Sequence, residues 1–361
     1  MTGQQGITDL PELVAALPSV ERRRFEGIFH VTSSVGALRP PVAMHGWIRE
    51  NLGPLESVLE QRVVRVTNLV TMEGALFNGL RSRRPLVTQR GEVLRDLAED
   101  SGCAFCRPLQ GTPEDVFGRV QGAHSVTASN IAKFDGLHGV VIFRDHDPLT
   151  FSEETVADYI DTAMAWAERA RAANEEAKYP FFLWNCLWRA GASIVHGHAQ
   201  VILGRDIHYA KVEHLRRAAR GYGEVTGTNY FDDLYRIHDG LGLAMESSGT
   251  RILVYLAPVK EKEVFLISGA LDRSLEKCLY QVLDCFVRFL GVESFNVVIY
   301  MPPLGAVQED WSGFPVLVRI LDRGDLLNRT ADMGAMELYA SSIISSDPFR
   351  VAEVLRQWLE Q

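Results

Sequence analysis

The chain has 361 residues, of which 47% are hydrophobic and 23% charged, as in an ordinary globular protein long enough for two domains. A formal net charge of −9 argues against nucleic-acid binding through a basic surface, so an anionic ligand would need a local arginine cluster. No apolar run approaches the ~18–20 residues of a membrane helix, and the N-terminus lacks the apolar segment of a signal peptide. Five cysteines, an odd number in a long chain, favour a reducing cytoplasm over a disulfide framework.

The N-terminal segment is predicted to contain two short helices followed by a strand. The first helix begins near Pro11 and ends at Pro18, since proline is tolerated in the first turn but not beyond it. The segment 31–43 is rich in serine, glycine and proline and predicts a loop, and a second helix is expected over 44–51. The β-branched, alternating segment 61–70 predicts a strand.

Three arginines lie within four residues just before a proline, at Arg81, Arg83 and Arg84. A solvated run of charge is the usual explanation of such a cluster. Its guanidinium groups are equally suited to binding phosphate through paired hydrogen bonds. The sequence leaves both interpretations open.

Cys103 and Cys106 form a Cys-x-x-Cys motif, which can be redox-active, metal-binding or accidental. The redox form usually opens a helix after a strand, whereas the glycine and proline that flank this motif predict a knuckle in a loop. A metal site is therefore favoured, and tetrahedral zinc would need two more ligands. His146 and His196 are the candidates.

The middle of the chain predicts a strand at 139–144 and a long helix from 150 to about 173, with Thr150 and Glu153 as its capping box. A strand at 181–187, a small-residue turn and a second strand follow. In this last strand His196, His198 and Gln200 occupy alternate positions and are predicted to share one face. The alternative is a half-exposed strand with two surface histidines.

The second half repeats this order of elements, with strands at 252–256, 264–267, 296–301 and 315–320 and a helix at 271–290. Where the first copy carries His-x-His-x-Gln, the second carries Val316-Leu-Val318-Arg-Ile320, and so has apolar residues where the first has chemistry. We therefore predict two similar halves, one active and one structural. A charged loop at 208–227 is expected to link them, and an amphipathic helix is predicted at 348–360.

The polar residues of the first half resemble those of the galactose-1-phosphate uridylyltransferase branch of the histidine-triad superfamily. The match comprises Asn185, Gly191, Ser193, His196, His198 and Gln200 in their spacing. The arginine segment, the order of the four candidate zinc ligands and the C-terminal segment 335–356 also agree, so the resemblance runs from about residue 61 to the end. One departure is Gly197, where the family usually has proline.

The resemblance implies an α+β fold made of two fused histidine-triad-like halves, each a mostly antiparallel sheet with a packed helix. Residues 1–60 would form an N-terminal extension, 61–207 the active half with its zinc site, and 208–361 a degenerate second half.

The resemblance also implies a nucleotidyltransferase that moves a nucleoside monophosphate from a nucleotide sugar, above all a UDP-hexose, to a sugar 1-phosphate or phosphate. His198 would be the nucleophile that carries the nucleotide covalently, and Gln200 would donate a hydrogen bond to a phosphoryl oxygen. The implied substrate-binding residues are Arg81, Arg84, Asn130, Asn185, Gly191 and Ser193, and the implied ligands of a structural zinc ion are Cys103, Cys106, His146 and His196.

The expected partners are a nucleotide sugar and a sugar phosphate, without nucleic acid or membrane. The enzyme is expected to be cytoplasmic, and the resemblance implies a homodimer. Two other functions stay open. One is a phosphorylase or hydrolase of dinucleoside polyphosphates or nucleotide sugars, also of histidine-triad type. The other is a catalytically silent binding protein with the same fold.

Overall fold

Thirteen strands and eleven helices occur in the part of the chain that the computed structural model describes, residues 5–83, 102–328 and 333–360. The strands are β1 (Phe29–Ala37), β2 (Glu60–Asn68), β3 (Gly74–Phe77), β4 (Ser125–Ser129), β5 (His138–Phe143), β6 (Ala177–Cys186), β7 (His198–Arg205), β8 (Ala244–Ser247), β9 (Thr250–Val254), β10 (Glu261–Ser268), β11 (Phe295–Tyr300), β12 (Val316–Asp322) and β13 (Ser342–Ile344). The helices are α1 (Leu10–Ala16), α2 (Ser19–Ile28), α3 (His45–Asn51), α4 (Leu55–Leu59), α5 (Pro108–Gly111), α6 (Glu153–Ala173), α7 (Ala210–Thr226), α8 (Tyr230–Gly240), α9 (Arg273–Arg288), α10 (Ala335–Tyr339) and α11 (Pro348–Leu359).

Strands from both halves form one antiparallel sheet of nine strands in the order β4-β5-β7-β6-β11-β12-β10-β9-β8. The two halves join where β6 pairs with β11, from Cys186 opposite Phe295 to Phe181 opposite Tyr300. A second sheet, of order β1-β2-β3-β13, is antiparallel except for the parallel pair of β3 and β13. The α+β class and the two antiparallel halves are confirmed. The division of the chain at residues 60 and 207 stays a prediction, and the pairing of β1 with β2 crosses the first boundary.

Helices α6 and α9 pack against each other, and α6 covers one face of the first half of the sheet. The predicted apolar stripe of α6 is confirmed, since Ala163, Trp166 and Ala170 are fully buried. Gly139 of β5 permits this packing, because a Cβ atom there would lie 2.6 Å from the Trp166 ring. Along the described ranges, no helix is both long and apolar enough to cross a membrane.

The capping box predicted for α6 lies two residues too early. Ser152 is the N-cap and accepts a hydrogen bond from the Thr155 N–H, while the Thr155 hydroxyl oxygen accepts one from the Ser152 N–H. Thr150 belongs to the preceding turn, where its own N–H donates to the Asp147 carbonyl oxygen.

Two predicted loops are regular structure. The segment 31–43 contributes most of β1, because the neighbouring β2 supplies hydrogen-bond partners along nine residue pairs. The charged segment 208–227 contains helix α7, in which Val212 and Leu215 are buried. Lys211, Arg217 and Arg220 lie on its exposed face, whereas Glu213 and Arg216 form a buried ion pair, and such a charged amphipathic helix is easily mistaken for a loop.

The register across the sheet places Arg319, not Val318, on the face that carries Gln200. Gln200 lies opposite Leu183 of β6, which lies opposite Val298 of β11, and Val298 lies opposite Arg319 of β12. Residues directly opposite each other in antiparallel strands project from the same face. The interpretation that the second half carries only apolar residues at this place is therefore wrong.

Arg319 lies between two carboxylates in the interior of the second half. Its guanidinium group is 2.8 Å from Glu73 and 2.7 Å from Glu263, and it lies over the ring of Phe265. Tyr255 donates a hydrogen bond to Glu73 from the same side. Glu73 follows β2, so the N-terminal sheet closes this face of the second half.

Replacement of Arg319 by methionine is expected to lower the free energy of unfolding by roughly 3 kcal/mol, because the buried Glu263 and the partly buried Glu73 lose their counter-ion. Urea unfolding followed by circular dichroism measures the loss. The control is Arg205→Met, which removes an exposed ion pair with Glu176 and is expected to cost less than about 1 kcal/mol. Equal losses in the two variants would contradict this account of Arg319.

Candidate active site

The strand β7 begins at His198, so the prediction that His196, His198 and Gln200 share one strand face holds only for the last two. His196 precedes the strand because the neighbouring Gly197, whose carbonyl oxygen still accepts the Phe143 N–H of β5, donates its own N–H to the His146 carbonyl oxygen beyond that strand. The His196 imidazole turns back to Phe143, whose carbonyl oxygen accepts a hydrogen bond from Nε2 at 2.9 Å. Its other ring nitrogen, Nδ1, is thereby left without a proton.

The structure brings together the four residues that the sequence proposed as metal ligands. The ligand atoms of Cys103, Cys106, His146 and His196 all lie within 4.8 Å of one another. The two Nδ1 atoms are 3.1 Å apart, and Cys106 Sγ lies 3.3 Å from His146 Nδ1 and 3.5 Å from His196 Nδ1.

These separations fit a single tetrahedral ion. The edges of a tetrahedron around zinc are about 3.3 Å between two nitrogens and about 3.6 Å between a sulfur and a nitrogen. Two thiolates and two imidazoles are also a typical donor set for structural zinc. The cluster is thus compatible with a zinc site in both chemistry and geometry.

The Cys-x-x-Cys segment forms a tight turn, in which the Cys106 N–H donates to the Cys103 carbonyl oxygen. The turn places Phe105 beside both histidines, with its ring centroid 5.9 Å from that of His196 and 5.3 Å from that of His198, edge-on in each case. The knuckle therefore covers the candidate nucleophile with an aromatic ring as well as supplying two thiols.

The tautomer of His198 is set by the backbone. Its Nδ1 lies 2.8 Å from the His196 carbonyl oxygen, which can only accept a hydrogen bond, so Nδ1 carries the proton and Nε2 keeps its lone pair. The side chain is 7% exposed, and burial lowers the pKa of this imidazole below its ordinary value. A neutral ring with an available Nε2 lone pair is the form that can attack phosphorus.

Gln200 contacts a histidine that the sequence analysis missed. His138, at the start of β5, places its Nε2 2.8 Å from Gln200 Oε1 and 3.2 Å from Asn130 Nδ2. The structure thus joins Asn130 to the site through His138, which is fully buried. The signal in the sequence was a histidine at the edge of an otherwise apolar strand.

The turn after β6 has a strained backbone. Leu187 and Gly191 both have positive φ angles, 66° and 98°. Glycine adopts this conformation without cost, whereas leucine does so only under external restraint. Gly191 and Ser193 are exposed on this turn, so backbone and hydroxyl groups are accessible to a ligand.

Residues of the second half hold this turn in place. Asn296 of β11 donates hydrogen bonds from Nδ2 to Asn185 Oδ1 at 2.7 Å and to the Ala190 carbonyl oxygen at 2.9 Å. Arg323, just after β12, donates to Asn296 Oδ1 at 2.7 Å. The sequence analysis found Asn185 but neither Asn296 nor Arg323, because only the pairing of β6 with β11 brings them together.

The arginine segment is only partly described. Arg81 is exposed on a short 3-10 helix, and Arg83 donates a hydrogen bond to the Leu52 carbonyl oxygen at 3.2 Å. Arg84 lies outside the described residues. The roles of Arg81 and Arg84 on a diphosphate stay predictions.

The nine-stranded antiparallel sheet, with His198 and Gln200 on its strand β7, belongs to a fold that solved structures share. Solved structures confirm this fold. An ADP-glucose phosphorylase from Arabidopsis thaliana with bound ADP-glucose is 20% identical, with a TM-score of 0.61, over 80% of this chain and 96% of that one. At such identities the similarity establishes the fold, and the site has to be argued from its own residues.

Two further structures agree. A galactose-1-phosphate uridylyltransferase-like protein from Arabidopsis thaliana is 20% identical over 72% of this chain and 93% of that one, with a TM-score of 0.56. A uridylyltransferase is 15% identical over 82% and 98% of the respective chains, with the same TM-score of 0.56. The sequence matches no protein-family profile and no curated protein.

Replacement of Gly197 by alanine is expected to lower the free energy of unfolding of the protein by about 1–3 kcal/mol. A Cβ atom there would lie 2.7 Å from the Phe143 ring and 3.1 Å from the Asp145 carbonyl oxygen, so the segment between His196 and His198 must shift. Thermal unfolding measures the effect. Gly221→Ala, in the middle of α7 where a Cβ meets nothing within 4 Å, serves as control and is expected to be neutral or stabilising. A neutral Gly197→Ala would contradict the packing described here.

Proposed function

We propose that the chain is a nucleotidyltransferase that moves a nucleoside monophosphate from a nucleoside diphosphate sugar to an acceptor phosphate through a covalent adduct on His198. The hydrogen bond from His198 Nδ1 to the His196 carbonyl oxygen is the observation that carries the proposal. It holds the proton on Nδ1 and so leaves the Nε2 lone pair free to attack phosphorus. The fold shared with an ADP-glucose phosphorylase and a uridylyltransferase supports the same class of reaction.

The reaction proceeds in two displacements at the α-phosphorus. In the first, His198 Nε2 forms a bond to phosphorus as the bond to the bridging oxygen breaks, and the sugar 1-phosphate leaves. The proton on Nδ1 stays in place, and the His196 carbonyl oxygen stabilises the positive charge of the adduct. In the second, an oxygen of the acceptor phosphate displaces Nε2 and restores the neutral imidazole. Division of one difficult displacement into two is the gain of covalent catalysis.

Other residues of the site would stabilise the transition state and seat the substrate. Gln200 would donate a hydrogen bond from its amide nitrogen to a non-bridging phosphoryl oxygen. The exposed Gly191 and Ser193 would seat the leaving phosphate, and Asn185 would keep their turn in place through Asn296. Arg81 and Arg84 would neutralise the diphosphate, and Asn130 would lie on the nucleoside side.

We further propose that Cys103, Cys106, His146 and His196 hold a structural zinc ion. When bound, the ion would fix the positions of its ligands. Four protein ligands fill a tetrahedral shell and leave no position for substrate. His196 is the ligand that matters most for the reaction, because its carbonyl oxygen accepts the hydrogen bond from His198.

The zinc proposal predicts about one zinc ion per chain in the purified protein, measured by plasma mass spectrometry. Cys106→Ala is expected to lower the zinc content strongly and to lower the melting temperature, because metal binding contributes to folding. Cys285→Ala removes a buried cysteine outside the cluster and should keep the zinc. Full zinc content in Cys106→Ala would overturn the assignment of ligands.

The covalent mechanism predicts a mass increase of one nucleoside monophosphate when the protein is mixed with a suitable donor. UDP-glucose, UDP-galactose, ADP-glucose and GDP-glucose are tested in turn by intact-protein mass spectrometry. His198→Ala should form no adduct, whereas His124→Ala, at a partly exposed histidine paired with Glu154, should form it at the parental rate. An adduct that persists in His198→Ala would rule out His198 as the nucleophile.

The acceptor is identified by chasing the isolated adduct. Release of a nucleoside diphosphate by inorganic phosphate would define a phosphorylase, and release of a nucleotide sugar by glucose 1-phosphate would define a transferase between sugars. No adduct and no sugar 1-phosphate release from any donor would favour the silent binding protein. The homodimer and the cytoplasmic location stay predictions, which light scattering after gel filtration and localisation of a tagged copy would check.

A further inference from the structure

His138 is a buried polar residue that the proposed reaction does not use directly. It lies at the first position of β5 and is 0% exposed. Its ring makes two hydrogen bonds, and Nε2 also lies 3.2 Å from Asn130 Nδ2. Nδ1 is 3.0 Å from the backbone nitrogen of Phe134, and Nε2 is 2.8 Å from Gln200 Oε1.

The hydrogen bond with Phe134 determines which partner donates in the hydrogen bond with Gln200. A backbone N–H can only donate, so Nδ1 of His138 accepts the Phe134 hydrogen bond and carries no proton. The proton of the neutral ring is then on Nε2, which donates it to the Gln200 side chain. A hydrogen-bond donor at this place selects the oxygen end of the glutamine amide.

Asn130 does not compete for this proton. Its Oδ1 already accepts a hydrogen bond from the Ala132 N–H at 2.9 Å, so its amide turns Nδ2 toward His138, and Nδ2, which can only donate, cannot accept the Nε2 proton. Gln200 rather than Asn130 therefore supplies the acceptor. Once its oxygen is bound to His138, the amide nitrogen of Gln200 must point the other way.

We infer that His138 is a positioning residue that fixes the Gln200 amide with its nitrogen available to donate to the phosphoryl group. The inference rests on the proposed function. Without a donor at this place the amide could rotate by 180°, and its oxygen would then face the negatively charged phosphoryl oxygens. The rotation would exchange an attractive contact in the transition state for a repulsive one.

The surroundings keep His138 neutral, as this role requires. Burial lowers the pKa of its imidazole, and the nearby Lys133 lowers it further, against the hydrogen bond to Gln200 and the charges of Asp115 and Asp135, which raise it. A protonated ring would also place an N–H at Nδ1 against the Phe134 N–H. Neutral His138 with its proton on Nε2 is thus the form that satisfies both Phe134 and Gln200.

A double-mutant cycle tests whether His138 acts through Gln200. The four proteins are the parent, His138→Met, Gln200→Met and the double variant. The rate constant of nucleotide-adduct formation is measured at saturating ADP-glucose or UDP-glucose, together with the concentration for half-saturation. His138→Met is expected to slow adduct formation about tenfold in the parent and less than about twofold in the Gln200→Met background. The donor concentration for half-saturation should change little, because the hydrogen bond from Gln200 to the phosphoryl oxygen strengthens in the transition state.

A purely structural role would give a different pattern. His138→Met would then slow the reaction by the same factor in both backgrounds, which would overturn the inference. Absence of any loss in His138→Met would overturn it as well. His138→Gln offers an amide N–H near the position of Nε2 and is expected to recover most of the rate, and failure of this rescue counts against the orienting hydrogen bond.

Urea unfolding of the same four proteins tests the hydrogen bond apart from the reaction, and adduct formation by the parent separates this inference from the proposed function. Coupling between positions 138 and 200 in the unfolding midpoints reports the hydrogen bond without any reaction. If the parent forms no adduct, the proposed function fails and the positioning role fails with it, whatever the midpoints show. If the parent forms the adduct and the cycle shows no coupling in rate, the positioning role alone is overturned.

Discussion

The arrangement of the site depends on His196, which is tied to its surroundings at three points. Its Nε2 donates to the Phe143 carbonyl oxygen, its Nδ1 faces the two cysteines and His146, and its own carbonyl oxygen accepts the hydrogen bond of His198. A shift of this one residue would disturb both the ligand cluster and the tautomer of the candidate nucleophile. The small Gly197 lets the two histidines follow each other where a Cβ atom would collide with Phe143.

The two halves of the nine-stranded sheet carry different side chains on the face that includes Gln200. In the first half, this face carries His198 and Gln200 beneath the knuckle of Phe105. In the second half it carries Arg319, which the carboxylates of Glu73 and Glu263 neutralise in the interior. The second half still serves the site from its edge, since Asn296 and Arg323 hold the turn that follows β6. The candidate site therefore depends on side chains from both halves.

The local patterns of the sequence were sufficient for most elements. Helix α6 was predicted from its apolar stripe and the strands from their β-branched composition, because both signals arise within one element. Strand β1 and helix α7 were missed for opposite reasons. The serine-rich strand forms because β2 supplies its hydrogen bonds, and the charged helix is held by a narrow apolar face with Val212 and Leu215.

The sequence by itself indicated the candidate nucleophile and its glutamine, through a resemblance carried by closely spaced polar residues, and it indicated four candidate metal ligands. Only the tertiary structure decided which groups surround them. Strand pairing between distant segments brings His138 to Gln200 and Asn296 to Asn185, and it places Arg319 on the face that carries Gln200. Register and the direction of hydrogen bonds are properties of paired strands, and a change of one residue in register moves every side chain to the other face.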